Sequence, residues 1–137
     1  MLGRGSWGMS CCRVLCAQVR VETSGGGVRA PGDSVQLSCQ GSGFSFASYH
    51  VLWYRQALGG RLEWLSYISS IWSYTRYSPD VEGRATVSRD NFRSVSSLSL
   101  RALCPRDSAH YLCAVRNYHI AAPWTLALLT VSSLLMM

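Results

Sequence analysis

Cys39 closes the run Val35-Gln36-Leu37-Ser38-Cys39, Trp53 follows it, and a second widely spaced cysteine, Cys113, ends the triplet Tyr111-Leu112-Cys113 downstream of Asp107. In the first run apolar and polar residues alternate, which is what a strand with one buried and one solvated face requires. Ala85-Thr86-Val87-Ser88 and Val95-Ser96-Ser97-Leu98-Ser99-Leu100 alternate in the same way. Between these runs come turn formers: Ala30-Pro31-Gly32-Asp33, Gly59-Gly60, Ser78-Pro79-Asp80 and Asp90-Asn91. No helical period, internal repeat or low-complexity segment interrupts them. Strands punctuated by turns at such intervals read as an all-β sandwich.

The strings along the chain, in order, resemble an antibody heavy-chain variable domain of the V-set immunoglobulin superfamily. Val21 to Gly27 is similar to that family's first strand, Ser34 to Cys39 to its second, and Gly43-Phe44-Ser45-Phe46 to the approach to its first hypervariable loop. Trp53-Tyr54-Arg55-Gln56, Leu62-Glu63-Trp64, Gly83 to Asn91 and Thr130-Val131-Ser132-Ser133 resemble later framework segments. Two strings, Trp53 to Gln56 and Asp107 to Val115, look more like T-cell receptor variable domains. A heavy-chain-like variable domain of a receptor delta chain is therefore the alternative, with a nonproductive gene product as another.

The resemblance implies a V-type sandwich of two antiparallel sheets over residues 18–133, joined by one disulfide, Cys39 to Cys113, with Trp53 packed on the sulfurs. Closing a loop of that length is worth about 4 kcal/mol on the chain-entropy model. It also implies a tyrosine corner at Tyr111 and an ion pair between Arg84 and Asp107 at the base of the sandwich. Function then belongs to three loops. Ser48, Tyr49 and His50 in the first, Ser70, Trp72 and Tyr74 in the second, and Arg116, Asn117, Tyr118 and His119 in the third combine rigid rings with small polar groups, as antigen-binding surfaces do. Tyr67 and Tyr77, at the loop margins, read as packed framework. The matching positions for a light-chain-like partner domain are Tyr54, Gln56, Leu62, Trp64 and Trp124. Tyr54 and Arg61 depart from the usual valine and glycine there.

The joining region fits worst. The family has Trp-Gly-x-Gly, whose glycines permit a bulge that aims the third loop. This chain has Trp124-Thr125-Leu126-Ala127-Leu128-Leu129, so a flat or misregistered last strand is expected. Leu134 to Met137 reads as a tail outside the family pattern, like intron read-through. Residues 1–17 read as a degenerate or truncated leader, with an apolar stretch broken by Arg13.

Composition limits the remaining classes. The chain has 137 residues, is 48% apolar and carries six cysteines, which suits one domain with a real core in an oxidising compartment. The resemblance implies an extracellular place, secreted or at the cell surface as part of a larger receptor chain. The net charge is +6, but the arginines from Arg55 to Arg116 form no run or helical face, so no nucleic-acid footprint is expected. Cys11, Cys12 and Cys16 lack a C-x-x-C pair and Cys104 precedes Pro105 in a turn expected to be exposed, so neither a metal nor a cofactor is expected. No nucleophile elbow or phosphate-binding loop is present, which argues against catalysis. No long apolar run is present to insert in a membrane.

Overall fold

The computed structural model describes residues 20–117, 128–130 and 134–136. Its strands are β1 (Arg20–Ser24), β2 (Gly27–Val28), β3 (Val35–Ser42), β4 (Tyr49–Gln56), β5 (Leu62–Ile68), β6 (Thr75–Tyr77), β7 (Ala85–Asp90), β8 (Val95–Leu100), β9 (Ala109–Asn117), β10 (Leu128–Thr130) and β11 (Leu134–Met136). Short 3-10 turns at Phe46–Ser48 and Pro105–Asp107 are the helical elements among the described residues. One sheet runs β1-β3-β8-β7 and the other β2-β11-β9-β4-β5-β6, with β10 also on β9. All pairings are antiparallel except β11 with β2. This is the two-sheet V-type sandwich that the alternation and the resemblance call for.

The alternation seen in the sequence becomes the division between core and surface. Leu37, Cys39, Leu98 and Leu100 of one sheet and Val51, Trp53, Leu65, Tyr111 and Val115 of the other are fully buried. Each such aliphatic or aromatic side chain contributes roughly 1.5–3 kcal/mol on burial. Cys39 and Cys113 join the sheets in a disulfide with their Cα atoms 6.2 Å apart. Trp53 lies opposite Cys113 in the β4–β9 ladder, and its indole Nε1 donates to Ser96 Oγ at 3.4 Å. A bulge in β5 decides which of its side chains face outward. Trp53 pairs with Ser66 and Tyr54 with Trp64, leaving Leu65 as the extra residue, buried. The slip turns Trp64 outward beside Tyr54 while keeping Leu65 in the core.

At the end away from the hypervariable loops, Asp107 is fully buried and accepts from two arginines. Arg84 approaches it with both terminal nitrogens, at 2.9 and 3.1 Å, and Arg55 Nη1 at 2.9 Å. Arg55 is itself buried, and its Nε donates to Glu63 at 2.6 Å. The Tyr111 hydroxyl donates to the Asp107 carbonyl at 2.6 Å, which is the corner geometry of this fold. Burial alone pushes the Asp107 carboxyl up, but hydrogen bonds from Arg84, the Cys104 amide and Arg55 outweigh it and bring the pKa down to about 2. Cys104, expected in an exposed turn, is half-buried, with Sγ 3.5 Å from Asp107 Oδ2.

Most of the Trp124 to Leu129 stretch, expected to be flat or misregistered, lies outside the described residues, and the end of the chain is described in two short strands on β9. Thr130 lies opposite Cys113 but Leu134 lies opposite His110, so pairing advances four residues on one side and three on the other. Leu134–Met136, in the stretch read as an extraneous tail, form β11 and pair with both β9 and β2. The leader-like stretch and Cys11, Cys12 and Cys16 lie outside the described residues.

Because the Asp107 pKa is lowered on folding, the stability it confers is present above the ordinary carboxylate range and is lost as pH falls through it. The protein is expected to lose about 2 kcal/mol of unfolding free energy between pH ~4 and pH ~2 from this group. Asp107→Asn, which leaves Arg55 buried opposite a neutral group, is expected to cost about 3 kcal/mol in urea unfolding at pH 7 and to flatten that acid limb.

Candidate functional site

The first and second loops meet at the end of the sandwich where β4 begins and β5 ends. In the first, Gly43 has φ +83° and Phe46 turns inward to 2% exposure. Gly41 makes room for this: a Cβ there would lie 2.7 Å from the Phe46 ring and 2.9 Å from that of Phe44. Phe44 stands edge-on to Tyr49 at 4.8 Å. Tyr49 is therefore half-buried against the core, and Ser48 is half-buried with its Oγ 3.3 Å from Ser45 Oγ.

The second loop is a tight hairpin tip. The Ser69 amide donates to the Tyr74 carbonyl and the Tyr74 amide to Ser69 Oγ, both at 2.8 Å. Trp72 and Ser73 follow one another in the left-handed region, with φ +65° and +47°. Two successive positive φ values suit the right-handed twist of a hairpin, but they are costly for a residue with a bulky side chain. Trp72 is nonetheless held there with 93% of its surface exposed, and Tyr74 is 58% exposed. Ser70 is half-buried and its hydroxyl has no hydrogen-bond partner among the described residues.

Two residues bind the loops to each other. Arg89, from β7, donates to the Phe46 carbonyl of the first loop at 2.8 Å and the Ser69 carbonyl of the second at 2.8 Å. Its guanidinium also sits 4.9 Å over the Phe46 ring. His50 Nδ1 accepts from the Ser70 amide at 3.2 Å and lies 3.2 Å from the Tyr67 hydroxyl. Accepting from an amide requires Nδ1 without a proton. Burial, then the charges of Arg89 and Arg116, push the His50 pKa down, in keeping with a neutral ring.

The expected site residues thus separate. Trp72, Tyr74 and Arg116 are exposed together at the loop end, whereas Tyr49 and His50 are spent largely on packing and bracing. Asn117 ends β9, and Tyr118, His119 and Trp124 lie outside the described residues. Tyr77 is half-buried, its hydroxyl accepting from the Val87 amide at 2.8 Å, which is a framework role. On the outer face of the larger sheet Tyr54 and Trp64 are half-buried, Gln56 is exposed and Leu62 is 47% exposed.

Among the described residues, concavities open at both ends of this sheet. One of about 740 Å³ lies at the base, where Arg55, Arg61 and Arg106 are interleaved with Glu63 and Asp80. The other, of about 590 Å³, lies at the loop end and is lined by Leu52, Trp64, Tyr67, Tyr74, Arg76, Tyr77 and Arg116. Arg76 and Leu52 were not singled out from sequence, because neither lies in a quoted motif and only the strand register shows that they meet; Arg89 lies in the Gly83 to Asn91 framework string, which gave no sign that it braces the loops.

A protein sandwich of two sheets with one inter-sheet disulfide and a loop cluster at one end is an immunoglobulin-type recognition domain. The immunoglobulin V-set domain family model matches residues 28–125, and the chain belongs to that family. Domains of this family are typically extracellular, non-enzymatic modules that mediate binding. Among the described residues no helix is long and apolar enough to cross a membrane.

The left-handed pair at the hairpin tip gives a direct test of this loop geometry. Trp72→Gly is expected to raise the unfolding free energy by about 1 kcal/mol, since glycine adopts positive φ freely, and thermal melting would show the rise.

Proposed function

We propose that this V-set domain is an antigen-recognising variable domain of the antibody heavy-chain type, binding noncovalently through its loop end. The observation that carries this reading is the exposed pair Trp72 and Tyr74 on a loop that is braced from beneath by Arg89 and His50, with the exposed Arg116 near the end of β9. Large rings fixed before contact lose little entropy on binding, and arginine adds directional charge. Probing the domain against arrays of proteins, peptides and glycans tests it. Trp72→Ala and Tyr74→Ala are each expected to weaken capture of a bound array member by more than about 1 kcal/mol with little change in melting temperature. Capture that survives both substitutions at full strength would place recognition elsewhere and overturn the reading.

The outer sheet face is proposed to pair with a light-chain-like variable domain. Tyr54 and Trp64 sit side by side there, with Leu62 and Gln56 paired next to them. Apolar and aromatic groups at the centre with an amide at the rim match the composition of a domain interface. Mixing with light-chain variable domains is expected to give a heterodimer in sedimentation, and Leu62→Arg is expected to weaken it at least about tenfold. A domain that remains monomeric with every light chain offered would rule the pairing out.

A further inference from the structure

The loop-end concavity is built by strand register. Leu52 on β4 pairs with Tyr67 on β5, and Tyr67 pairs with Arg76 on β6, so the three form one row across the outer face. Trp64, further along β5 and paired with Tyr54, lines the concavity as well, as do Tyr74 and Arg116. Arg116 lies opposite His50 in the β4–β9 ladder. The walls are therefore aromatic and apolar, and the charged groups are two exposed arginines.

No aspartate or glutamate lines this concavity. Neither Arg76 nor Arg116 has an ion-pair partner among the described residues. The base of the sandwich is the contrast within the same molecule, since there Arg55 and Arg84 are each held by carboxylates. His50, next to Arg116, feels the positive field of Arg116 and of Arg89, both of which oppose its protonation. A concavity with this field and no internal counterion favours an anion, and its rings favour a flat apolar body.

We infer that this concavity takes an aromatic group bearing an oxyanion, with the ring against Tyr67 and Tyr74 and the anion between Arg76 and Arg116. Planar guanidinium groups bind such oxyanions through paired N–H donors, and lysine would not substitute equally. This specificity rests on the proposed reading of the loop end as the recognition surface. It narrows the ligand from any antigen to one presenting an aryl phosphate, sulfate or carboxylate.

Titration calorimetry of the full chain with three probes tests it: N-acetyl-O-phosphotyrosine amide, N-acetyltyrosine amide and inorganic phosphate. The phosphorylated ring is expected to bind at least about tenfold more tightly than either fragment, because each fragment forfeits one set of contacts. Arg76→Gln and Arg116→Gln are each expected to weaken it about tenfold with melting temperature unchanged, and raising salt is expected to weaken it further. Equal binding of all three probes, no measurable binding of the phosphorylated one, or binding indifferent to both substitutions would overturn the inference. Array capture that depends on Trp72 but not on Arg76 or Arg116 would leave the antigen-binding reading standing while removing this specificity.

Discussion

Strand β4 is bonded along its length to β5 on one side and β9 on the other, so none of its residues can change face without disrupting both ladders. Its inward set is Val51, Trp53 and Arg55, all buried, and its outward set is Leu52, Tyr54 and Gln56. The inward set fixes the core and, through Trp53 opposite Cys113, the position of the disulfide. The outward set supplies both the proposed pairing face and the floor of the loop-end concavity. The core and the proposed binding surfaces therefore share a strand but use opposite faces of it.

The two ends of that strand solve opposite electrostatic problems. At Arg55 a buried guanidinium is possible only because Glu63, Asp107 and the Tyr111 hydroxyl offer acceptors, and their hydrogen bonds raise its pKa against the effect of burial. Asp107 is shared between Arg55 and Arg84, so its removal would weaken the compensation of both guanidinium groups at once. At the other end Arg89 is also largely enclosed, but it is met by carbonyl dipoles rather than by carboxylates, and burial pushes its pKa down. The enclosed arginine of the loop end is thus solvated by backbone dipoles, whereas the enclosed arginines of the base, Arg55 and Arg84, are paired with carboxylates.

Much of the frame was legible in the sequence because it depends on periodicity and on residues whose chemistry is rarely interchangeable. The alternation in Val35 to Cys39 and Leu98 to Leu100 matches the inward residues, although in β8 it is Ser96 and not Val95 that is buried, and the resemblance named Cys39, Cys113, Trp53, Tyr111, Arg84 and Asp107, whose positions in the structure are those of the core and its base. What remained hidden depends on register and on distant pairing. Arg55 looked like one of many scattered arginines, yet the Asp107 carboxylate that it meets is fifty-two residues away. The β5 bulge that turns Trp64 outward leaves no glycine or proline as a sign. Positive φ at Trp72 runs against what its bulk would predict, and Arg76 gains significance only once Tyr67 is known to lie between it and Leu52.

The way the loops are held explains how such a surface can vary in sequence. Arg89 grips carbonyl oxygens of Phe46, Ile68 and Ser69, and His50 takes the Ser70 amide. Carbonyl groups belong to every residue and amides to all but proline, so these ties are blind to the side chains that project outward. Replacing Tyr74 or the Trp72 ring alters what the surface offers without removing a brace. Phe46 and Gly41 are the exceptions, because the first fills the space beneath the loop and the second must stay small for it to do so. Conformation is thereby assigned to a few inward or backbone-reading residues, and the exposed ones are left free of that task.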